Sequence, residues 1–424
     1  MAFLGMRGTG DWVADARPKS YREGLLYLYP NGSVPLTAMM SKMGSEKVDD
    51  PQFHWWTKTL ASQAGPITGI YSENTMTTPY VPGEGEAGDA LYIKTSEATA
   101  SEIRAGHQVL LRNNSDYRMD VNCLVQVVVL AGANSMTIVK LLQDDDFDLE
   151  AERIVIVGNA NAEGAVMPAS VSYDPVKWSN YTQIFRTPLE ITRTAQLTKM
   201  RTGDAYKELK REAMEMHGIE MEKAFLFGIA TEGTGLNGKP LRTTQGLIPS
   251  IKAGGTTDAY HLNTAYAGSS WVEKGEDWLD SKLEEIFRYG KMEKLVFAGN
   301  GAMLGIQKLI KSGSDYKLQP MTTSYGIKVI EWTTVFGTIY LKTHPLMNLE
   351  PSMRNSFVIF EPENLKYKFI TDTTFYDDSE KKNTGHTRID GVKEEFLTEC
   401  GLEYHHPVGW GFLDGVGKDN GLTP

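Results

Sequence analysis

NYTQIFRTPLEITRTAQ, residues 180–196, followed by GDAYKELKREAMEMHGIEMEKAFLFG, residues 203–228, is the stretch on which the fold of this 424-residue chain turns. The first piece is dense in β-branched and aromatic residues and reads as a strand. Pro188 within it removes a ladder donor, so that strand must bend or take an edge position. The second piece reads as the strongest helix of the chain, over 204–227. Thr202 or Asp204 can cap it, Glu208 lies in its first turns, and Gly228 stops it. Tyr206, Leu209, Ala213, Met216, His217, Ala224 and Phe227 fall on one stripe at helical spacing. Lys207, Glu208, Arg211, Glu215 and Glu222 mark the other face, which reads as solvated. At ~1.5 Å per residue the rod is roughly 36 Å long.

Working outward toward the N-terminus, 163–197 is extended and marked by Pro168, Pro175 and Pro188. Residues 107–111, 121–130, 135–142 and 154–157 read as strands, with Gly132-Ala133-Asn134 at a hairpin turn. These predict a small β barrel or sandwich. Residues 64–100 are punctuated by glycine and proline, as in Gly83-Glu84-Gly85-Glu86, and suit an exposed, extended excursion. The first sixty residues hold no sustained period but many aromatics, among them Trp12, Tyr21, Tyr27, Tyr29, Trp55 and Trp56. They read equally as an arm that buries its rings against something else, or as loops wrapped on their own domain.

Toward the C-terminus a Gly-rich loop, 232–246, leads into alternating elements. Helices are expected over 277–289 and from Asn300 to 310. Strands are expected at 295–298, 326–332 and 335–343, the last two joined by a two-residue turn. This is an α+β module with helices on a sheet. The tail offers strands at 357–360, 365–370 and 392–402.

Composition narrows the function. Lys plus Arg number 43 against 54 Asp plus Glu, a net charge of −11, which argues against a protein that coats phosphate backbones. With 41% apolar and 23% charged residues the chain is of ordinary globular type, and its length suggests two to three domains. Its 41 glycines favour sheets and loops over a helical bundle. Cys123 and Cys400 allow neither a disulfide-stapled fold nor a CxxC motif; one long-range bridge between them stays open, and two buried thiols of a reducing cytoplasm are favoured over it. The N-terminus lacks a signal-peptide core, and the longest apolar run, 123–131, falls short of the ~20 residues of a membrane span. The expectation is a soluble intracellular protein with no membrane contact.

Catalytic and ligand motifs are weak. Gly233 to Lys239 (GTGLNGK) matches much of a phosphate loop, but a helix precedes it and Pro240 stands where Ser or Thr would hold magnesium. Asp144, Asp146 and Asp148 have the spacing of a calcium loop, yet Leu149 and Val155 replace its glycine and glutamate. His405 and His406 are adjacent and point to opposite faces of a strand. His217 reads as a satisfied core histidine, and Cys123 lies in an apolar strand that suits no nucleophile. No catalytic residue, cofactor or metal is assigned. A protein whose task is to contact copies of itself fits best.

The order of elements resembles the major capsid protein of tailed double-stranded-DNA bacteriophages, the Hong Kong ninety-seven type fold. The strings at 180–196 and 203–228, with GLIPSI (246–251), LVFAGN (295–300) and VFGTIYL (335–341), carry the resemblance. It implies an N-arm (1–60), two legs of an extended loop (61–100 and 163–199) and a small β insertion between them (101–162). It also implies a peripheral domain with a long spine helix (200–232 and 350–424) and an axial domain (233–349). The function implied is self-assembly into hexamers and pentamers of an icosahedral head enclosing a double-stranded DNA genome, built in the host cytoplasm and kept in the virion. Portal, decoration and a separate scaffold protein are the implied partners. No Lys and Asn pair of the kind that cross-links some members is matched here. On this reading Trp12, Tyr27, Trp178, Tyr181, Arg186, Arg193, Lys207 and Arg211 are the candidate contacts between subunits. An encapsulin-like nanocompartment shell, a tail-tube or other virion protein, and a cytosolic nucleotide-binding enzyme using Gly233–Lys239 are the alternatives.

Overall fold

In a computed structural model the chain divides into two units, Trp56–Val176 and a body made of Met1–Trp55 with Lys177–Pro424. The structure describes Leu36 and residues 44–58, 63–145, 151–164, 166–168, 170–198, 204–312, 318–324, 327–377 and 390–423. Two short strands come first, β1 (Ser45–Lys47) and β2 (Gln52–Thr57).

The smaller unit is a closed antiparallel barrel. Its strands are β3 (Ala64–Tyr71), β4 (Ala90–Thr95), β5 (His107–Arg112), β6 (Val121–Val129), β7 (Ser135–Leu141) and β8 (Arg153–Asn159). They close in the order β3-β4-β7-β6-β5-β8. Period-two alternation fills the interior: Val109 and Leu111 of β5 and Val121, Cys123 and Val125 of β6 are all buried. Each such side chain contributes about 1.5–3 kcal/mol by leaving water. A short helix, α1 (Glu97–Glu102), is capped by the Ser96 hydroxyl, which accepts from the Thr99 amide.

The four strands expected from the sequence are present, but the barrel also takes β3 and β4 from the segment read as an exposed excursion. The reason lies in the glycines. A side chain at Gly65 would stand 2.2 Å from Thr99 Oγ1, so β3 lies too close to α1 for an alternating apolar pattern to run through it.

The body continues with β9 (Val176–Tyr181), β10 (Gln183–Thr192), α2 (Arg193–Leu197) and α3 (Ala205–Phe227). A hairpin, β11 (Thr231–Thr234) and β12 (Pro240–Thr243), follows, where a loop was expected. Then come α4 (Leu247–Gly254), β13 (Thr256–Ala259), α5 (Trp271–Phe287), β14 (Glu293–Ala298) and α6 (Asn300–Ser312). The last elements are β15 (Leu318–Ser324), β16 (Ile327–Thr333), β17 (Thr338–Thr343), α7 (Pro345–Leu349), β18 (Phe357–Phe360), β19 (Leu365–Tyr376), β20 (Gly391–Tyr404) and β21 (Gly411–Asp414).

Two larger sheets organise the body. One runs β1-β19-β20-β10, with β1 parallel to β19 and β10 antiparallel to β20. Pro188 therefore sits on an edge strand, as its missing donor requires. The other has seven strands in the order β13-β21-β18-β14-β17-β16-β15. Its centre is buried on both faces: Leu295, Val296, Phe297 and Ala298 of β14 are all inaccessible, and α5 and α6 pack Trp271, Trp278, Leu283, Ile306 and Leu309 against it. The α+β expectation is met, with three adjustments. Helix α5 starts at Trp271, behind a Ser270–Glu273 capping box. Four residues, not two, join β16 to β17, because Thr333 faces Thr338. And of the three strands expected in the tail, β18 joins the seven-stranded sheet while β19 and β20 pair in the other; β21, also in the seven-stranded sheet, was not expected.

Candidate assembly surface

The edge strand β10 and the helix α3 pack on each other. Phe185, Thr187 and Leu189 of β10 point inward, and Ile184, Arg186, Pro188 and Glu190 point out. Asp204 caps α3 by accepting from the amides of Tyr206 and Lys207. The buried side of α3 is Ala213, His217, Met221, Glu222, Phe225 and Leu226. That departs from the expected stripe: Met216 and Phe227 are exposed, and Met221, Phe225 and Leu226 replace them. The run Ala224-Phe225-Leu226-Phe227 is apolar throughout, so it fits any phase and misleads the eye.

Two buried polar relays fix this packing. His217 is 3% exposed; its Nδ1 lies 2.9 Å from Thr187 Oγ1 and its Nε2 2.7 Å from Thr398 Oγ1. Burial holds its pKa below the ordinary histidine value, with Glu220 opposing. It is a satisfied core histidine joining α3 to β10 and β20. Glu222, expected on the solvated face, is fully buried. Its Oε1 accepts from the Leu36 amide at 2.9 Å and lies 2.7 Å from His344 Nε2. Leu36 is itself fully buried in the body's main apolar cluster, beside the Phe225 and Met221 region of α3.

Six of the eight candidate contact residues have partners within their own chain. Trp178 is half-buried and packs on the main cluster, its ring 6.3 Å from Tyr404 at a steep angle. Tyr181 accepts from Gln52 Nε2 at 3.3 Å. Arg186 grips Glu395 with two nitrogens at 2.6–2.9 Å, and Arg193 donates to Asp390 at 2.6 Å. Lys207 and Arg211 stand 3.7 Å from Asp204 and Glu208 of their own helix. Trp12 and Tyr27 lie outside the described residues. The pairs of Arg186 and Arg193 link β10 and α2 to residues about 200 positions away, which no local pattern signals.

The motifs set aside in the sequence are also placed. Gly233–Lys239 is the end of β11 and the turn of the β11–β12 hairpin, and three of its backbone amides bond within it. Gly235 N donates to Lys239 O, Gly238 N to Gly235 O, and Lys239 N to Asn237 Oδ1. Asp145 is buried and accepts from Tyr80 and from the Gly83 amide, while Asp144 accepts from Ala87. Residues 146–150 lie outside the described residues. Among the described residues no cluster of His, Cys, Asp and Glu is arranged to hold a metal, and no helix is long and apolar enough to cross a membrane. Cys123 and Cys400 are free and buried, and burial pushes each thiol up to about 12.

Among the apolar side chains that the body leaves exposed, three stand at or near the β11–β12 hairpin. Leu236, at the hairpin tip, is fully exposed; Leu241 and Ile184 are more than half exposed beside it. Between the hairpin base and β10 runs a groove lined by Ile184, Pro240, Leu241, Thr243 and Glu399.

Comparison with known proteins puts the chain among the structural proteins of phage heads. It belongs to the SU10 major capsid protein family, whose model matches residues 8–417. The chain is 25% identical over 333 residues to the major capsid protein of Pseudomonas phage PaMx41, covering 78% of this chain and 73% of that protein. A solved structure from Mycobacterium phage Bobi aligns with 96% of this chain and 99% of its own, at 9% identity and a TM-score of 0.46. An encapsulin of Synechococcus elongatus aligns with 57% of this chain and 76% of its own, at 13% identity and a TM-score of 0.38. The chain is a phage major capsid protein, a component of the virion.

Proposed function

We propose that copies of this chain assemble as hexamers and pentamers into an icosahedral head that encloses a double-stranded DNA genome. The observation that carries this reading is the span of the family match, residues 8–417, which takes in both the barrel and the body. A chain with net charge −11 suits a container that confines its genome and does not bind it tightly or by sequence. Assembly takes place in the host cytoplasm, with a portal, a separate scaffold and decoration proteins as partners, and the chain has no catalytic role. Trp12, Tyr27, Tyr181, Arg186, Arg193, Lys207 and Arg211 remain candidate contacts between copies. Trp178 carries part of the body's packing, so its removal costs folding stability as well.

Negative-stain electron microscopy of the purified chain, with its mass by size-exclusion chromatography, tests the proposal. Closed shells or rings of five and six are the expected result. A chain that stays monomeric at all concentrations, with and without a scaffold partner, overturns it.

A further inference from the structure

We infer that the tip of the β11–β12 hairpin of one copy seats in the groove beside β10 of a second copy. The inference rests on the assembly reading above and specifies one of its contacts.

The hairpin tip has two functional features. Leu236 is fully exposed and touches no groove of its own chain. Lys239, three residues on, is exposed and has no carboxylate partner among the described residues. The groove has the matching pair. Its walls are Ile184, Pro240 and Leu241, and its volume is about 110 Å³. That is on the order of the space one large aliphatic side chain leaves behind, ~100–150 Å³. At its side stands Glu399, which accepts from Thr182 Oγ1 at 3.1 Å and has no cation partner among the described residues. Arg242, which also lines the groove, is held by Glu232 on the facing strand at 2.9 Å. An apolar knob with a free cation thus faces, on the same molecule, an apolar socket with a free anion.

Knob and socket cannot be filled from within one copy, because β12 is itself a wall of the socket and the ladder ends at the Thr234–Pro240 pair before the tip. They are different patches, so the contact is head-to-tail. Repeated from copy to copy, a head-to-tail contact closes a ring when its rotation permits. Ring-forming units are what the assembly reading requires.

The test is a double variant, Leu236→Cys with Ile184→Cys, in the full chain under mild oxidation. Cys123 and Cys400 are buried and do not compete. The expected result is a ladder of covalently joined copies on a denaturing gel, absent from either single variant and from the unsubstituted chain. In parallel, Leu236→Asp should raise the concentration needed for assembly about tenfold or more, the loss expected of a central apolar anchor. Its circular dichroism and melting should stay those of the unsubstituted chain, since this side chain packs on nothing in its own chain. Shells that form without a ladder, or a Leu236→Asp chain that assembles at the unsubstituted concentration, overturn the contact and leave the assembly reading intact. An unsubstituted chain that never assembles overturns both.

Discussion

Glu222 and His344, 122 residues apart in sequence, meet at 2.7 Å with no solvent exposure on either side chain. The same carboxylate oxygen receives the Leu36 amide, so one buried acid joins α3, the end of β17 and the N-terminal segment. Glu222→Ala should leave two buried donors without an acceptor and destabilise the chain by about 3 kcal/mol. Glu222→Gln keeps a carbonyl oxygen in place and should cost roughly half as much. Denaturant unfolding of the unassembled chain reads both; equal midpoints for Ala and the unsubstituted chain would refute the assignment.

His217 gives the body a dependence on acid. Its pKa is lowered in the folded chain, chiefly by burial. The folded state then binds fewer protons than the unfolded state once pH falls below the ordinary histidine value, ~6.5. Stability from this group is complete above that value and drains away as pH falls toward the folded pKa, by at most ~1.4 kcal/mol per pH unit. His107 in the barrel, lowered by burial and by Arg104, acts in the same direction on its own unit. Unfolding midpoints at pH 7.5 and 5.5 should converge in His217→Gln relative to the parent. An unchanged gap would show that His217 does not titrate in this range.

Asn180 is a joint of five hydrogen bonds. Its Nδ2 donates to Thr244 Oγ1, Gln245 O and Leu402 O at 2.7–3.2 Å, and its Oδ1 accepts from the amides of Tyr181 and Gln245 at 2.8 Å. The near-isosteric Asn180→Asp puts a carboxylate oxygen against the carbonyls of Gln245 and Leu402 in a buried site. It should cost more than Asn180→Ala, which should itself cost about 2–3 kcal/mol. Thermal melts of the two variants decide it, and the reverse order would count against the hydrogen-bond assignment.

Nucleoside triphosphate with magnesium should leave the melting temperature unchanged at millimolar concentration. A phosphate cradle needs free amides at a helix N-terminus. Here the amides of Gly235, Gly238 and Lys239 already bond within the hairpin. A saturable rise in melting temperature would reopen the enzyme reading.

Where a pattern is local, the sequence carries it. The alternation of 107–111 and 121–129, the Asp204 cap and the edge position of Pro188 all follow from residues within a few positions of each other. The burial of Glu222 has no local signal, because its partners Leu36 and His344 lie 186 and 122 residues away. β3 is hidden by glycines that serve close packing, and β4 lies directly behind the turn glycines Gly83 and Gly88. β21 has only four residues and finds its parallel partner β13 more than 150 positions upstream. The candidate contacts show the same limit: charge and aromaticity mark Arg186 and Trp178 as interactive, but only the fold reveals that Glu395 and Tyr404 are what they touch. The exposure of Leu236 at the hairpin tip has no sequence signal, because it follows from the β11–β12 pairing.

The sheet β1-β19-β20-β10 sets an order for events on the ribosome. Its strands are drawn from residues 45–47, 365–376, 391–404 and 183–192, so it cannot close until nearly the whole chain has been made. The barrel needs nothing beyond Asn159. At ~5–20 residues per second, roughly 12 to 50 s separate the two. During that interval a finished barrel is carried with β1 and β10 unpaired, since they do not pair with each other and await β19 and β20. Nascent chains halted near residue 230 should therefore resist protease across 64–159 and be cut readily after it. The body's exposure to wrong partners is thus a matter of translation time, and a slow codon placed after the barrel would lengthen it.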